Sequence, residues 1–98
     1  MHIVTWTRIK KFVDRHAQAA PPMRAWRKVI QAARFSGPNE LKAAFPSAVI
    51  IGKYRTIFHI GGNKFRLIVD VRYDLGRVYV REVLTHEEYN RHSRVGKE

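Results

Sequence analysis

Cysteine is absent from the chain. That absence excludes a disulfide scaffold, a thiolate zinc site and a cysteine nucleophile together. Acid is scarce: eight Asp and Glu stand against nineteen Lys and Arg, a net charge of +11. Long apolar runs are missing as well. The longest aliphatic stretch, Ala48-Val49-Ile50-Ile51, falls far short of the ~20 residues that cross a bilayer. The opening Met1-His2-Ile3-Val4-Thr5-Trp6-Thr7-Arg8 lacks the apolar segment of a signal peptide. A soluble cytoplasmic protein is expected. The chain is 98 residues long, which gives one domain over residues 1–98 with no room for a second core. Hydrophobic residues at 45% and aromatics at 11% suit a packed globule and are too many for a disordered basic tail.

The shortage of acid is uneven. None lies between Asp14 and Glu40, where Arg15, Arg24, Arg27, Lys28 and Arg34 fall. None lies between Glu40 and Asp70, where Lys42, Lys53, Arg55, Lys64 and Arg66 fall. Twelve of the cations are arginine, the side chain suited to bidentate phosphate contacts and to stacking on bases. Charge of this kind speaks of partners, with nucleic acid ahead of an acidic protein. A solubilising surface is the plainer alternative. A membrane-surface helix fails, because the cations are not confined to one polar face opposite an apolar one.

Residues 1–5 are apolar and β-branched, a short strand. From Thr7, whose hydroxyl suits an N-cap, Ile9, Phe12, Val13 and His16 recur at helical spacing. Pro21-Pro22 opens a second helix in its first turn, with Met23, Trp26, Ile30 and Ala33 on one face. Asn39 then caps a short helix through Leu41 and Ala44. Trp6 and Trp26 fall in helical patterns and read as core. The second half reads as strands over 54–60, 64–72 and 77–84, with turns at Gly61-Gly62-Asn63 and Asp74-Leu75-Gly76. Thr85-His86-Glu87-Glu88 has capping-box spacing and starts a last short helix through Tyr89. The fold class is α+β: an N-terminal strand and helices packed on one face of a small antiparallel sheet, with a short C-terminal helix.

The opposite face of that sheet is expected to be cationic. Phe65, Leu67, Val69 and Val71 point one way, and Lys64, Arg66, Asp70 and Arg72 the other. Val78, Val80 and Leu84 are in phase on the next strand, which puts Tyr79 and Arg81 on the open face; Arg55 and His59 join from the first. Like charges side by side on a sheet are destabilising, so a chain that keeps them there is holding them for an anion.

Several segments carry a family resemblance: Leu41-Lys42-Ala43-Ala44-Phe45-Pro46-Ser47-Ala48, Phe58-His59-Ile60-Gly61-Gly62-Asn63-Lys64-Phe65-Arg66-Leu67-Ile68-Val69, Tyr79-Val80-Arg81 and Leu84-Thr85-His86-Glu87-Glu88-Tyr89. Together with Met1-His2-Ile3 and Pro22-Met23-Arg24-Ala25-Trp26, they resemble the HigB family of bacterial type II toxins, within the RelE-like superfamily of mRNA interferases. His59 departs from the pattern, which usually has asparagine there. The resemblance implies a RelE-like toxin that cleaves mRNA, usually on the translating ribosome, without metal or cofactor. It also implies a HigA-type helix-turn-helix antitoxin that holds the toxin inactive.

Metal-free RNA cleavage uses the ribose 2′-hydroxyl as nucleophile. It needs a base, an acid for the leaving oxygen and cations for the growing phosphoryl charge. The catalytic candidates are Lys64 for charge stabilisation or base work, Arg66 and Arg81 as phosphoryl clamps, His86 as acid or base, and Tyr89 to stack a base or donate to phosphate. Each has a plainer alternative: solvated cations for Lys64 and Arg66, an ion pair with Asp70 for Arg81, packing for His86 and core for Tyr89. Arg24, Arg55, His59, Arg72 and Tyr79 are the RNA-binding candidates. His92 reads as a surface residue. A non-catalytic RNA- or ribosome-binding module is the alternative function.

Overall fold

A computed structural model describes residues 1–96, with side chains described through Arg91. Strand β1 (His2–Val4) runs straight into helix α1 (Trp6–Arg15). The N-cap is Thr5, at a left-handed φ of 71° and with no side-chain cap bond, rather than Thr7. Helix α1 buries Ile9 and Phe12. A 3-10 turn at Ala17–Ala19 leads to α2 (Ala20–Ala32), whose prolines sit in the first turn, where a helix has no N–H partners to lose. Met23, Trp26 and Ile30 form its buried face. Helix α3 (Pro38–Ala44) starts on Pro38 with Gly37 as N-cap, so Asn39 lies inside it and caps nothing.

Four strands follow: β2 (Val49–Ile51), β3 (Arg55–Ile60), β4 (Phe65–Arg72) and β5 (Arg77–Thr85). Helix α4 (His86–Gly96) ends the described chain, and the side chain of His92 lies outside the described residues. The sheet order is β1-β5-β4-β3-β2. Neighbours are antiparallel except β1, which pairs parallel with β5, His2 opposite Arg77 and Val4 opposite Tyr79. A parallel neighbour needs a crossover, and the helices supply one. Ile9, Phe12, Met23, Trp26 and Ile30 from the helices meet Phe58, Leu67, Val69, Val71, Val78 and Val80 from the sheet in one core. The expected α+β arrangement is the one observed.

Three strand details differ from expectation. Strand β2 was not anticipated. Its three residues show no alternation, and pairing with β3 makes them a strand. Lys64 lies in the turn before β4, which begins at Phe65. Strand β5 carries a bulge: Val80 pairs with Val69 and Glu82 with Ile68, which leaves Arg81 as the extra residue. Past the bulge every side chain changes face. Val83, rather than Leu84, packs on the core, and Leu84 stands opposite Arg66.

Candidate active site

Helix α4 lies across the open face of the sheet at one end. A reciprocal capping box starts it: the Thr85 amide donates to Glu88 Oε1 at 2.9 Å, and the Glu88 amide donates to Thr85 Oγ1 at 3.1 Å. The backbone bonds from Thr85 hold the Glu88 carboxyl below its ordinary pKa against the opposing effect of burial. The His86 amide donates to the Lys64 carbonyl at 2.8 Å, which ties the helix start to the turn before β4. Gly61 and Gly62 form that turn at φ of 65° and 71°, values a side chain resists.

Arg66 lies beneath α4. It is 5% exposed, not a solvated cation. Nη1 donates to the carbonyls of Asn63 at 3.1 Å and Phe65 at 3.3 Å. Nη2 donates to Asn63 Oδ1 at 2.8 Å and faces His86 Nδ1 at 3.0 Å. The Tyr89 ring covers the guanidinium, its centroid 5.2 Å from Cζ. A guanidinium only donates, so His86 Nδ1 is the acceptor and the ring proton sits on Nε2. The Asn90 carboxamide nitrogen lies 3.2 Å from Nε2. His86 and Asn90 line a 640 Å³ hollow with Lys64, Asn63 and Gln18.

His59 stands opposite Arg66 in the β3–β4 register. Its pKa is lowered, first by burial and then by nearby positive charge, the Arg66 guanidinium foremost, so at neutral pH it keeps a free lone pair. Next along the strand pair, Ile57 and Ile68 are buried opposite each other, an apolar floor that interrupts the polar face. Beyond them, Asp70 receives Arg55 Nε at 2.6 Å and Arg81 Nε at 2.6 Å. Burial pushes the Asp70 carboxyl up, and the two arginines outweigh it and hold it low.

The structure therefore gathers Lys64, Arg66, His86, Tyr89 and His59 at one end of the open face. Arg81 is elsewhere, 53% exposed and ion-paired, as its plainer reading had it. Arg55 shares that pair. Arg72 bonds Asp74 at 2.9 Å and stacks on Tyr54, 4.6 Å from the ring centroid. Tyr79 receives Arg77 at 3.5 Å and stands opposite Asp70. Arg24 is exposed on α2, in the layer on the other side of the sheet. Asn63 and Asn90 were missed. Asn63 was visible inside the Gly-Gly-Asn-Lys-Phe-Arg segment, and Asn90 sits one helical turn after His86.

A model of the HigB toxin family, described as the RelE-like toxic component of a toxin-antitoxin system, matches residues 19–92. The chain belongs to the HigB family. It is 33% identical over 93 residues to the mRNA interferase toxin HigB of Escherichia coli K12, covering 92% of this chain and 88% of that protein. The mRNA interferase HigB of Shigella flexneri gives the same figures, 33% over 93 residues with 92% and 88% covered. The mRNA interferase HigB of Escherichia coli O6:H1 is 28% identical over 101 residues, covering all of this chain and 97% of that protein. The family match begins after α1, so it covers β2 to β5 and the whole gathering around Arg66.

Proposed function

We propose that this HigB-family toxin is an mRNA interferase that cuts RNA by metal-independent transesterification, with the reaction centred on the Arg66–His86 pair. The observation that carries the reading is that pair's hydrogen bond: Nη2 at 3.0 Å from Nδ1. It fixes His86 with Nε2–H outward, a neutral donor aimed at developing charge. Loss of that proton while Nδ1 remains bonded to Arg66 would leave an imidazolate. In this arrangement His86 donates a hydrogen bond and does not exchange a proton. Arg66 has both Nη groups engaged, so it acts through His86 and through its charge rather than as a two-pronged phosphate clamp. Tyr89 shields it from water.

The proton exchanges fall to the neighbours. His59 takes the 2′-hydroxyl proton, the 2′-oxygen bonds to phosphorus, and the bond from phosphorus to the 5′-oxygen breaks. The Lys64 ammonium, in the same hollow as His86, gives a proton to the leaving 5′-oxygen. The products are a 2′,3′-cyclic phosphate and a 5′-hydroxyl. The substrate is mRNA on the translating ribosome in the cytoplasm, and a HigA-type helix-turn-helix antitoxin restrains the toxin.

The test is end-group mapping of RNA cut by the purified protein with translating ribosomes. The expected ends are cyclic phosphate and 5′-hydroxyl, and a 5′-phosphate overturns the scheme. On RNA alone, excess EDTA should leave the rate unchanged. Either His59→Ala or His86→Ala should slow cleavage by about a hundredfold or more. The rate should rise with pH through a midpoint below the usual histidine value of about 6.5, and His59→Gln should remove that limb.

A further inference from the structure

Most cations on the open face are already engaged: Arg55 and Arg81 on Asp70, Arg72 on Asp74 and Arg66 on Asn63 and His86. A different group is not. Arg8, Lys11 and Arg15 are exposed on α1 at spacings of three and four residues, so they share one face of the helix. None of the three forms an ion pair among the described residues. With Arg81 they line a 270 Å³ groove between α1 and β5, in which Glu82 is the one acid. The groove exists because β1 pairs only with residues 77–79 of β5. Among the described residues, that edge of β5 has no strand beside it past Tyr79, and α1 packs against β5. Like charges one turn apart on a helix repel, and an anion lying along the stripe would relieve that repulsion.

We propose that this groove holds the sugar-phosphate backbone of the RNA that flanks the cut. The placement rests on the cleavage reading above. Leu84 lines the groove and stands opposite Arg66 in the β4–β5 register, so the groove opens one strand, roughly 5 Å, away from the reaction centre. A strand of RNA leaving Arg66 and His86 toward β5 passes over Leu84 and meets Arg81, then the α1 cations. Phosphate contacts of this kind position a substrate and carry no sequence preference. Three of the four cations lie on α1, outside residues 19–92, the stretch matched by the family model.

The test uses a single-stranded RNA with every 2′-hydroxyl methylated, which binds and cannot be cut. Its affinity is titrated from physiological salt upward for the wild type and for the triple variant Arg8→Ala, Lys11→Ala, Arg15→Ala. A charge-matched control carries Lys10→Ala, Lys28→Ala and Lys53→Ala, three exposed positions outside the groove. Each lost phosphate contact should lower the slope of log affinity against log salt by about 0.7, so the groove variant should fall by about 2. The control should keep nearly the wild-type slope. An unchanged slope in the groove variant, or an equal fall in the control, overturns the proposal. So does competition for the groove by polyglutamate with the RNA slope unmoved, which would give the surface to an acidic protein. Cleavage by the wild type is assayed in parallel: absence of cutting with a shifted slope sinks the reaction scheme and leaves the groove standing. Normal cutting with identical slopes sinks the groove alone.

Discussion

Arg66 spends both of its Nη groups inside the protein, so its shape matters as much as its charge. A lysine there keeps the charge but cannot bond Asn63 and His86 together from one planar group. Arg66→Lys should therefore lose most of the cleavage rate. It should also cost about 1–3 kcal/mol of stability, because Asn63 Oδ1 and His86 Nδ1 lose their donor. Denaturant melts beside cleavage rates check both. Asp70 plays a different part. It is the anchor of two arginines and holds its proton less tightly in the fold than in the unfolded chain, whose carboxylate has a pKa near 3.9. A group depressed in this way contributes stability above the unfolded value and loses it as pH falls through the folded one. Wild-type stability should drop on acidification from about pH 5 to below the unfolded value, and Asp70→Asn should flatten part of that drop. At neutral pH the same variant should be less stable by about 1 kcal/mol, since both arginine partners are half-exposed. Melts at the two pH values would settle the sign.

At the scale of elements, α4 decides whether the site exists. It carries His86 and Tyr89 and is fastened by the Thr85–Glu88 box and the His86–Lys64 backbone bond. Thr85→Ala should cost about 1 kcal/mol. The loss should be local: hydrogen exchange should quicken in α4 while β4 amides stay protected, and cleavage should fall with α4. The box itself was legible, because its residues are consecutive. The two-residue period of β4 and the helical spacing in α1 and α2 were legible for the same reason: each pattern lies within one element. What escaped depended on distant partners. The bulge at Arg81 changes the face of everything after it, and only the β4–β5 register reveals it. Arg66 reads as an open-face cation until α4, twenty residues on, is laid over it. Strand β2 is defined by β3. The gathering around Arg66 was thus readable in its membership for Lys64, His86 and Tyr89. The buried arginine, the fixed His86 tautomer and the exclusion of Arg81 belong to contacts between elements.

At the scale of the whole molecule the controlling length is that of screening. The protein measures 32 × 32 × 22 Å and carries a net charge of +11. At an ionic strength of about 0.01 M the Debye length is about 30 Å, so an approaching RNA feels the entire charge at once. At physiological strength it is about 8 Å, and only the cations near the contact count. The same two triple variants that separate the groove from the rest of the surface should therefore behave differently at the two strengths. Each removes three positive charges, so at low salt both should slow RNA association by similar factors. At physiological salt the Lys10, Lys28 and Lys53 variant should recover nearly the wild-type association rate, while the α1 variant stays slow, because its charges lie where the strand docks. Stopped-flow association with the uncuttable RNA at both strengths measures this directly. A pair of variants that remain equally slow at physiological salt would mean that RNA is drawn by the undivided field and not by any one face of the molecule.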